Sequence, residues 1–187
     1  MKQMQEILAE HARLVDHLRG QLDVVQAIGN AIIHSIESDG RVYLLGNGGS
    51  AADAQHIAAE FVGRFRRERR ALPAVALTTD TSTLLSVGND YGFNHMFTRQ
   101  VEALVGPGDI LWALSTSGNS PNVIEAVHVA QSLEAIVIGF TGRTGGKLKP
   151  LCDFCLTVDH DSSDRIQEIH QIAYHMVCEK VENYFAD

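Results

Sequence analysis

The chain has 187 residues and a formal net charge of -8, and 45% of its residues are hydrophobic. This length suits one domain with a sizeable core, and the acidic balance argues against general nucleic-acid binding. No apolar run approaches the roughly 20 residues that a membrane-spanning helix needs, and the polar N-terminus does not look like a secretory signal. The odd number of cysteines, three, favours a reducing compartment, so we expect a cytoplasmic protein that binds neither membrane nor nucleic acid.

The first 37 residues predict helix, because apolar residues recur at roughly helical spacing. We expect a break near Gly20 or Gly29. A helical segment that precedes the first strand must bury its apolar face, and a partner subunit is a reasonable candidate. We therefore interpret residues 1–37 as a helical oligomerisation segment and residues 38–187 as the α/β core of the same single domain.

From residue 41 onward, strand and helix patterns alternate. The predicted strands are 41–45, 74–78, 109–114, 135–140 and 154–158, and the predicted helices are 50–64, 81–88, 94–104, 120–132 and 164–185. The strands are apolar runs, as expected for parallel strands that are covered on both faces. This alternation predicts a doubly wound, flavodoxin-like α/β fold with a five-stranded parallel sheet, and ligands should bind beyond the carboxyl ends of its strands.

The loop Gly46–Ser50 follows the first predicted strand and leads into an alanine-rich helix. Glycine permits a tight turn and a close approach of backbone to ligand, and Ser50 is a suitable N-cap. The free backbone N–H groups and the helix dipole would favour an anion there. Because a strand-to-helix turn often needs glycine anyway, this loop alone is weak support, and no lysine follows it as in a Walker-type loop.

The loop Ser115–Ser120 follows the third predicted strand and is rich in hydroxyl groups. Ser120 is the expected N-cap and Pro121 suits the first helical position. Serine-rich loops are common, but two such loops at one edge of one sheet favour a phosphate site. We therefore regard Ser115–Ser120 as a second candidate phosphate cradle.

His56 and Glu60 lie four residues apart on the helix that follows the glycine loop, so they share one face. Such a pair is often a solvated surface pair, but a histidine and a glutamate at this spacing can also bind one metal ion. In the last helix we expect Asp164 as N-cap and a core stripe beside a polar flank. The stripe comprises Ile166, Ile169, Ala173, Met176, Val177 and Val181, and the flank comprises Gln167, Gln171, Tyr174, His175 and Cys178.

Two further patterns have plain structural interpretations. The arginines of Arg64–Arg70 suit a solvated helix end, although Arg64 could reach a ligand. Cys152 and Cys155 have the spacing of a metal or redox pair, but no second pair lies nearby. Buried structural thiols are therefore favoured.

Several of these motifs, in this order, resemble the sugar-isomerase (SIS) fold family and, within it, the phosphoheptose isomerases. The resemblance covers nearly the whole chain and is specific as a set. It rests on Gly46–Ser50 with His56 and Glu60, on Gly88–Phe93, on Ser115–Ser120 and on Arg165–His170.

This resemblance implies a homotetramer with active sites at subunit interfaces and one bound zinc ion per subunit. The implied zinc ligands are His56, Glu60, Gln167 and His175, and the implied acid/base residues are Glu60 and His175. Gln167 and His175 lie two helical turns apart, a rise of about 12 Å, so one ion would need extended side chains or a ligand from another subunit. The implied substrate contacts are Asn47, Gly48, Gly49, Glu60, Asn89, Asp90, Ser115, Thr116, Ser117, Ser120 and Gln167.

The same resemblance implies that sedoheptulose 7-phosphate is converted to D-glycero-D-manno-heptose 7-phosphate through an enediol, in bacterial heptose biosynthesis for lipopolysaccharide core or other surface glycans. The alternative is a non-enzymatic regulatory protein similar to the DnaA initiator-associating protein of the same fold family. That branch has threonine at the position of Gly49 and lacks acid/base groups at the positions of Glu60 and His175. This chain keeps all three residues, which favours the enzyme.

Overall fold

A computed structural model describes residues 1–186. The helices and strands run in the order α1 Lys2–Leu18, α2 Leu22–Glu37, β1 Val42–Gly46, α3 Gly49–Val62, β2 Ala74–Ala76, α4 Thr81–Tyr91, α5 Thr98–Leu104, β3 Ile110–Ser115, α6 Pro121–Ser132, β4 Ile136–Gly142, β5 Phe154–Val158 and α7 Ser163–Phe185. The predicted strand–helix alternation is confirmed.

The five strands form one parallel sheet in the order β2-β1-β3-β4-β5, which confirms the doubly wound fold. Chain order and sheet order diverge at β1, where the chain first runs outward to β2 and later returns to β3. The loops after β1 and β3 therefore leave the same edge of the sheet from neighbouring strands. This is the switch point at which doubly wound folds bind their ligands.

Helices cover both faces of the sheet, so the sheet separates two apolar layers. On one face, α2, α3 and α7 pack against side chains that include Leu44, Trp112 and Ile138. On the other face, α5 and α6 pack against Leu45, Leu111 and other side chains of the sheet. Because successive residues of a strand point to opposite faces, strands covered on both faces read as continuous apolar runs.

The N-terminal segment breaks at a short 3-10 turn, Arg19–Gln21, as the pattern around Gly20 predicts. Its second half, α2, buries Ile28 and Ile32 completely against α7 and belongs to the core of this chain. Its first half, α1, leaves Met4 and Leu8 about 70% exposed, at 71% and 69%. The apolar face of α2 thus has a partner within the chain, whereas part of the apolar face of α1 faces outward.

Two helix starts differ from the predictions. Helix α3 begins at Gly49, with Gly48 at the N-cap position in a left-handed conformation (φ 54°), so Ser50 is buried within the first turn. A positive φ is easily adopted only by glycine, which moves the start of the helix ahead of the serine. Helix α7 begins at Ser163 after Ser162, so Asp164 lies in the first turn and is not the cap.

The predicted core stripe of α7 is partly wrong. Met176 is 39% exposed, whereas Tyr174 is fully buried and Cys178 nearly so. The reason is that α7 packs against both α2 and α3, so its buried arc is wider than a single stripe and is rotated toward α3. Residues assigned to the flank therefore lie in the core.

The arginine-rich segment is not a solvated helix end, because α3 ends at Val62 and residues 63–70 form a loop. The carboxylate of Glu182 accepts backbone N–H groups of Phe65, Arg66 and Arg67 at 2.7, 2.6 and 3.0 Å. The Nε atom of Arg69 lies 3.5 Å from the same carboxylate, and both side chains are only 2% exposed. A buried ion pair therefore fixes this loop against α7.

Cys152 and Cys155 are free thiols beside Gly139 and are half-buried rather than fully buried. Within residues 1–186, no helix combines the length and apolar character needed to cross a membrane.

Candidate active site

A small pocket of about 240 Å³ lies at the switch point of the sheet, and we call it the cradle. Three helices begin at the wall of the cradle. Gly48 and Ser50 lie at the start of α3, Ser120 is the N-cap of α6 and Ser163 is the first residue of α7. The lining residues are Asn47, Gly48, Ser50, Leu114, Ser115, Thr116, Ser120, Ser163 and Gln167.

None of these lining residues, all within the described chain, carries a charged side chain. The positive ends of three helix dipoles and several hydroxyl groups provide the attraction instead. Such an arrangement suits an anion such as a phosphate group. In a chain with a net charge of -8, this local positive potential is what would draw an anionic ligand to the site.

Hydrogen bonds between neutral side chains hold the cradle in shape. The hydroxyl groups of Ser115 and Ser120 lie 3.0 Å apart. Asn47 and Asn122 donate to each other reciprocally, at 2.9 and 2.8 Å, and so join the glycine loop to α6. These hydrogen bonds join the loops that form the cradle to one another.

Gly49 and Gln167 meet where α3 and α7 begin. A Cβ atom on Gly49 would lie 2.5 Å from Nε2 of Gln167, so a larger residue at this position would displace the end of the Gln167 side chain. This contact places Gln167 at the wall of the cradle.

A second group of polar residues, the cluster, consists of His56, Glu60 and His175. Ligand atoms of these three side chains all lie within 4.8 Å of one another. Nε2 of His56 lies 3.1 Å from Oε1 of Glu60, and the rings of His56 and His175 meet edge to face at 5.1 Å. This confirms that the face shared by His56 and Glu60 turns toward α7.

Two helices of the cradle, α3 and α7, also carry the cluster, and they run side by side in the same direction. Gly49 meets Gln167 at the cradle, and seven residues further along each helix His56 meets Tyr174. Seven residues correspond to a rise of about 10 Å. A ligand with an anionic group at one end and a reactive group several bonds away would reach both regions.

His56 and His175 each contact a further side chain outside the cluster. The hydroxyl of Tyr174 lies 3.0 Å from Nδ1 of His56 and donates to Oδ1 of Asp53 at 3.4 Å. The ring of Phe65 stacks on His175 at 5.4 Å, and the Arg69 guanidinium donates to the backbone carbonyl of Glu60 at 2.7 Å. The loop fixed by Glu182 therefore contacts two members of the cluster.

Burial shifts the protonation of the groups in and behind the cluster. It lowers the pKa of His175, and nearby His56 lowers it further, which favours a neutral imidazole with a free lone pair. Burial also raises the pKa of Tyr174, whose hydroxyl therefore keeps its proton. Burial raises the pKa of Asp53, although the hydrogen bond from Tyr174 and the nearby His56 act in the opposite sense.

The donor set of the cluster fits a zinc ion. Two imidazoles and one carboxylate match the three protein ligands of many catalytic zinc sites, which leave a further position open. Oε1 of Glu60 and Nε2 of His56 face each other at 3.1 Å, and when Nε2 carries no hydrogen both atoms have a lone pair for a cation placed between them. The predicted role of Gln167 as a fourth ligand stays a prediction, since this side chain lies at the cradle.

Some predicted contacts lie elsewhere. Asn89 and Asp90 are exposed on α4, hydrogen bonded to each other at 2.8 Å, and are not among the residues of the cradle or the cluster. Ser117 accepts the backbone N–H of Asn119 within its own loop. Their roles as substrate contacts stay predictions.

Other residues of the site are absent from the sequence predictions. Ser163 lines the cradle, and its hydroxyl lies 3.1 Å from that of Thr116. Asn122, Asp53 and Phe65 support the site from behind. A usable signal existed for Asp53, which lies one turn before His56, and for Ser163, which opens the last helix. The contact of Phe65 with His175 depends on the fold alone.

The fold and the site together define a class of protein, a doubly wound α/β protein with an anion-binding type of pocket at its switch point. Comparison with known proteins narrows the class. Residues 7–142 match a family model described as "SIS domain". The phosphoheptose isomerase of Aliarcobacter butzleri (strain RM4018) is 46% identical over 180 residues, which cover 96% of this chain and 95% of that protein. The phosphoheptose isomerase of Roseiflexus sp. (strain RS-1) is 52% identical over 162 residues, 87% of this chain and 82% of that protein.

Solved structures agree. The phosphoheptose isomerase from Neisseria gonorrhoeae superposes with a TM-score of 0.92 at 42% identity and covers 97% of this chain and 98% of that one. The NanR protein of Vibrio vulnificus, complexed with ManNAc-6P, superposes with a TM-score of 0.66 at 15% identity, which shows the shared fold alone. The chain therefore belongs to the SIS-domain family and, within it, to the phosphoheptose isomerases.

Proposed function

We propose that this chain is an enzyme that interconverts sedoheptulose 7-phosphate and D-glycero-D-manno-heptose 7-phosphate, in heptose biosynthesis for lipopolysaccharide core or other surface glycans. One observation carries the proposal: α3 and α7 begin at an uncharged anion cradle and carry a His/Glu/His cluster further along, and the Gly49–Gln167 and His56–Tyr174 contacts are separated by a helix rise of about 10 Å. The phosphate and the carbonyl end of a seven-carbon sugar phosphate need these two chemistries at such a separation.

In this proposal the cradle binds the phosphate through the hydroxyl groups of Ser115, Thr116 and Ser120 and through free N–H groups at the helix starts. Asn47 and the backbone of Gly48 and Gly49 face sugar hydroxyl groups. Binding at one end places C1 and C2 of the sugar beside the cluster. Such positioning lowers the barrier because reacting groups no longer have to find each other.

The chemistry moves one proton between adjacent carbons. A base removes a proton from C1 of the ketose, O2 gains a proton, and an enediol forms. Return of a proton to C2 with loss of the O1 proton gives the aldose. Glu60 and His175 are the proposed acid/base residues for these proton transfers.

Zinc is the proposed cofactor, one ion per subunit, held by His56, Glu60 and His175, with Gln167 as the predicted fourth ligand. When bound, zinc would polarise the sugar carbonyl and stabilise negative charge on its oxygen. The donor types and their mutual distances support this assignment, and metal analysis of the purified protein tests it.

A homotetramer is the proposed assembly, with residues 1–37 as part of its interface. Support comes from the exposed Met4 and Leu8 on α1 and from a groove of about 770 Å³ between α2 and α7. In such an assembly, exposed Asn89 and Asp90 could contact the site of a neighbouring subunit. Light scattering should give a tetrameric mass, and a Met4→Glu/Leu8→Glu double variant should give a smaller one; a monomeric wild type would refute the assembly.

We also propose a cytoplasmic location, which the odd number of cysteines supports. The catalytic proposal is tested by incubating the zinc-loaded protein with sedoheptulose 7-phosphate and following the appearance of aldoheptose phosphate by NMR. Turnover is the expected result. Absence of turnover in a folded, metal-loaded protein would contradict the enzyme and return the alternative of a regulatory protein.

A further inference from the structure

A buried tyrosine connects the cluster to an aspartate that has no assigned role. The hydroxyl of Tyr174 lies 3.0 Å from Nδ1 of His56 and 3.4 Å from Oδ1 of Asp53. Tyr174 is completely buried. The other carboxylate oxygen of Asp53 is buried and has no hydrogen-bond partner within residues 1–186. The hydroxyl of Tyr174 is therefore the side chain that satisfies this carboxylate.

The number of protons in this chain of contacts decides the direction of each hydrogen bond. A tyrosine hydroxyl has one proton to donate, and an ionised carboxylate can only accept. If Tyr174 donates to Asp53, its oxygen can serve His56 only as an acceptor, so Nδ1 of His56 must carry a hydrogen. Both observed contacts are satisfied in this arrangement.

The opposite arrangement leaves a polar group unsatisfied. If Tyr174 donated to Nδ1 of His56, Asp53 would lose this donor while its second oxygen is already unpartnered. An unsatisfied buried acceptor is costly, and more so when it is charged. The first arrangement is therefore favoured.

A hydrogen on Nδ1 has a direct consequence at the other side of the ring. In a neutral imidazole, Nε2 then presents its lone pair, and it points toward Oε1 of Glu60 at 3.1 Å. Two acceptors at this distance repel each other unless a cation lies between them. Since ligand atoms of His175 lie within 4.8 Å of both, a divalent metal ion suits the gap.

We propose that Tyr174 and Asp53 are positioning residues that hold His56 as the Nδ1–H tautomer and thereby present Nε2 to the metal ion. This inference rests on the metal site proposed above. The other ring nitrogen of a metal-binding histidine is usually held by a carboxylate, a carbonyl or a water molecule. Here the hydroxyl of Tyr174 lies between the carboxylate and the ring and contacts both.

The first test compares zinc affinities of metal-free proteins by competition with a chromophoric chelator. Tyr174→Phe should weaken zinc binding about 10- to 100-fold, as removal of such supporting partners typically does. Tyr43→Phe is the matched control, because Tyr43 is also buried and loses a hydrogen bond to a backbone carbonyl far from the cluster. The control should bind zinc like the wild type.

Asp53→Asn is the second variant and carries the test if Tyr174→Phe does not fold. Its amide oxygen can still accept the Tyr174 proton, so we expect a smaller loss of zinc affinity than in Tyr174→Phe. Zinc affinity that falls from wild type to Asp53→Asn and further to Tyr174→Phe supports the positioning role of Tyr174 and Asp53. Equal affinity in wild type and Asp53→Asn, with Tyr174→Phe unfolded, would overturn it.

A spectroscopic readout separates positioning from a purely structural role. In zinc-loaded protein with 15N-labelled histidine, NMR should show His56 with a protonated Nδ1 and a metal-bound Nε2. The Nδ1 proton should exchange with solvent faster in Tyr174→Phe than in the wild type, and at the wild-type rate in Tyr43→Phe. If wild type binds zinc but Tyr174→Phe binds equally with the same spectrum, the positioning role is refuted and the metal site stands. If the wild type binds no zinc, the metal site itself is refuted, and this inference with it.

Discussion

The cradle and the cluster share helices α3 and α7, yet they are supported in opposite ways. Neutral groups support the cradle: Asn47 pairs with Asn122, and buried His170 contacts the carbonyl of Thr141 at 3.0 Å beside the cradle loop. Carboxylates support the cluster, since Asp53 lies behind Tyr174 and Glu182 fixes the loop that carries Phe65.

This difference follows from what each region has to bind. An anion is favoured where helix dipoles meet and negative charge is kept away, which is what the neutral cradle offers. A metal ion or a proton is favoured where carboxylates lie close, which is what the cluster offers. In the proposed function, the two ends of the sugar phosphate would meet opposite local potentials within an acidic chain.

The largest expected effect is on the cluster. Glu60→Gln removes the proposed base and a metal ligand while keeping the size of the side chain, so turnover should fall about 10³-fold. The measurement is the rate of aldoheptose phosphate formation by NMR. Circular dichroism checks that the fold is kept. A variant with more than a tenth of wild-type turnover would remove Glu60 from the acid/base role.

The second effect concerns the support of the cluster. Glu182→Gln leaves Arg69 buried beside a neutral partner and weakens three hydrogen bonds to backbone N–H groups, so stability should fall by about 3 kcal/mol. Burial opposes ionisation of Glu182, but the backbone N–H donors and Arg69 outweigh it and lower its pKa. Urea unfolding measures the change in the free energy of unfolding.

Glu179→Gln is the matched control for this prediction. Glu179 lies on the same helix as Glu182 and pairs with Arg66 of the same loop, but its side chain is 45% exposed. It should cost less than about 1 kcal/mol. Equal effects of the two substitutions would show that the buried Arg69–Glu182 pair does not hold the loop. The claim that carboxylates support the cluster would then be contradicted.

The third effect concerns the support of the cradle. Burial lowers the pKa of His170 from 6.5 in the unfolded chain to about 4. Because the folded pKa is the lower one, the contribution of His170 to stability is complete above pH 6.5 and is lost as the pH falls toward 4. The slope from this residue should reach about 1.4 kcal/mol per pH unit.

Urea unfolding at a series of pH values between 7 and 4 measures this slope. His170→Gln lacks the titrating group but can still donate a hydrogen bond, so its stability should fall less steeply over this range. A variant with the same pH dependence as the wild type would show that acid sensitivity arises elsewhere.

The smallest effect is on substrate binding at the cradle. Ser120→Ala removes one hydroxyl group from the phosphate site, and KM should rise roughly fivefold to tenfold, which corresponds to about 1–1.4 kcal/mol. The value of kcat should stay within about a factor of two of the wild type, because this contact does not change during the reaction. Ser132→Ala, at the other end of α6, is the control and should change neither constant. A large fall in kcat for Ser120→Ala would contradict the separation of binding from chemistry.

The sequence predicts the sheet and the cradle well, for a physical reason. Apolar runs that alternate with helical patterns leave few topologies, and the topology alone brings the loops after β1 and β3 together. The differences are local: α3 begins before Ser50 because Gly48 can adopt a positive φ, and Ser163 joins the wall of the cradle without having been predicted.

The cluster is harder to predict, because it depends on the register between two helices that are distant in the chain. The spacing of His56 and Glu60 shows that they share a face, but only the family resemblance points to His175 as their neighbour. The wider buried arc of α7 reverses the expected positions of Met176 and Tyr174. The buried pair of Arg69 and Glu182 also joins segments that are distant in the chain, so a run of arginines does not predict it.

The most direct test of the divided site is a 31P NMR titration of sedoheptulose 7-phosphate into the Glu60→Gln variant. We expect the phosphate signal to shift on titration, with a dissociation constant close to the wild-type KM, while no aldoheptose phosphate forms, since the cradle is intact and the cluster is disabled. Loss of phosphate binding in this folded variant, or turnover at the wild-type rate, would contradict the account.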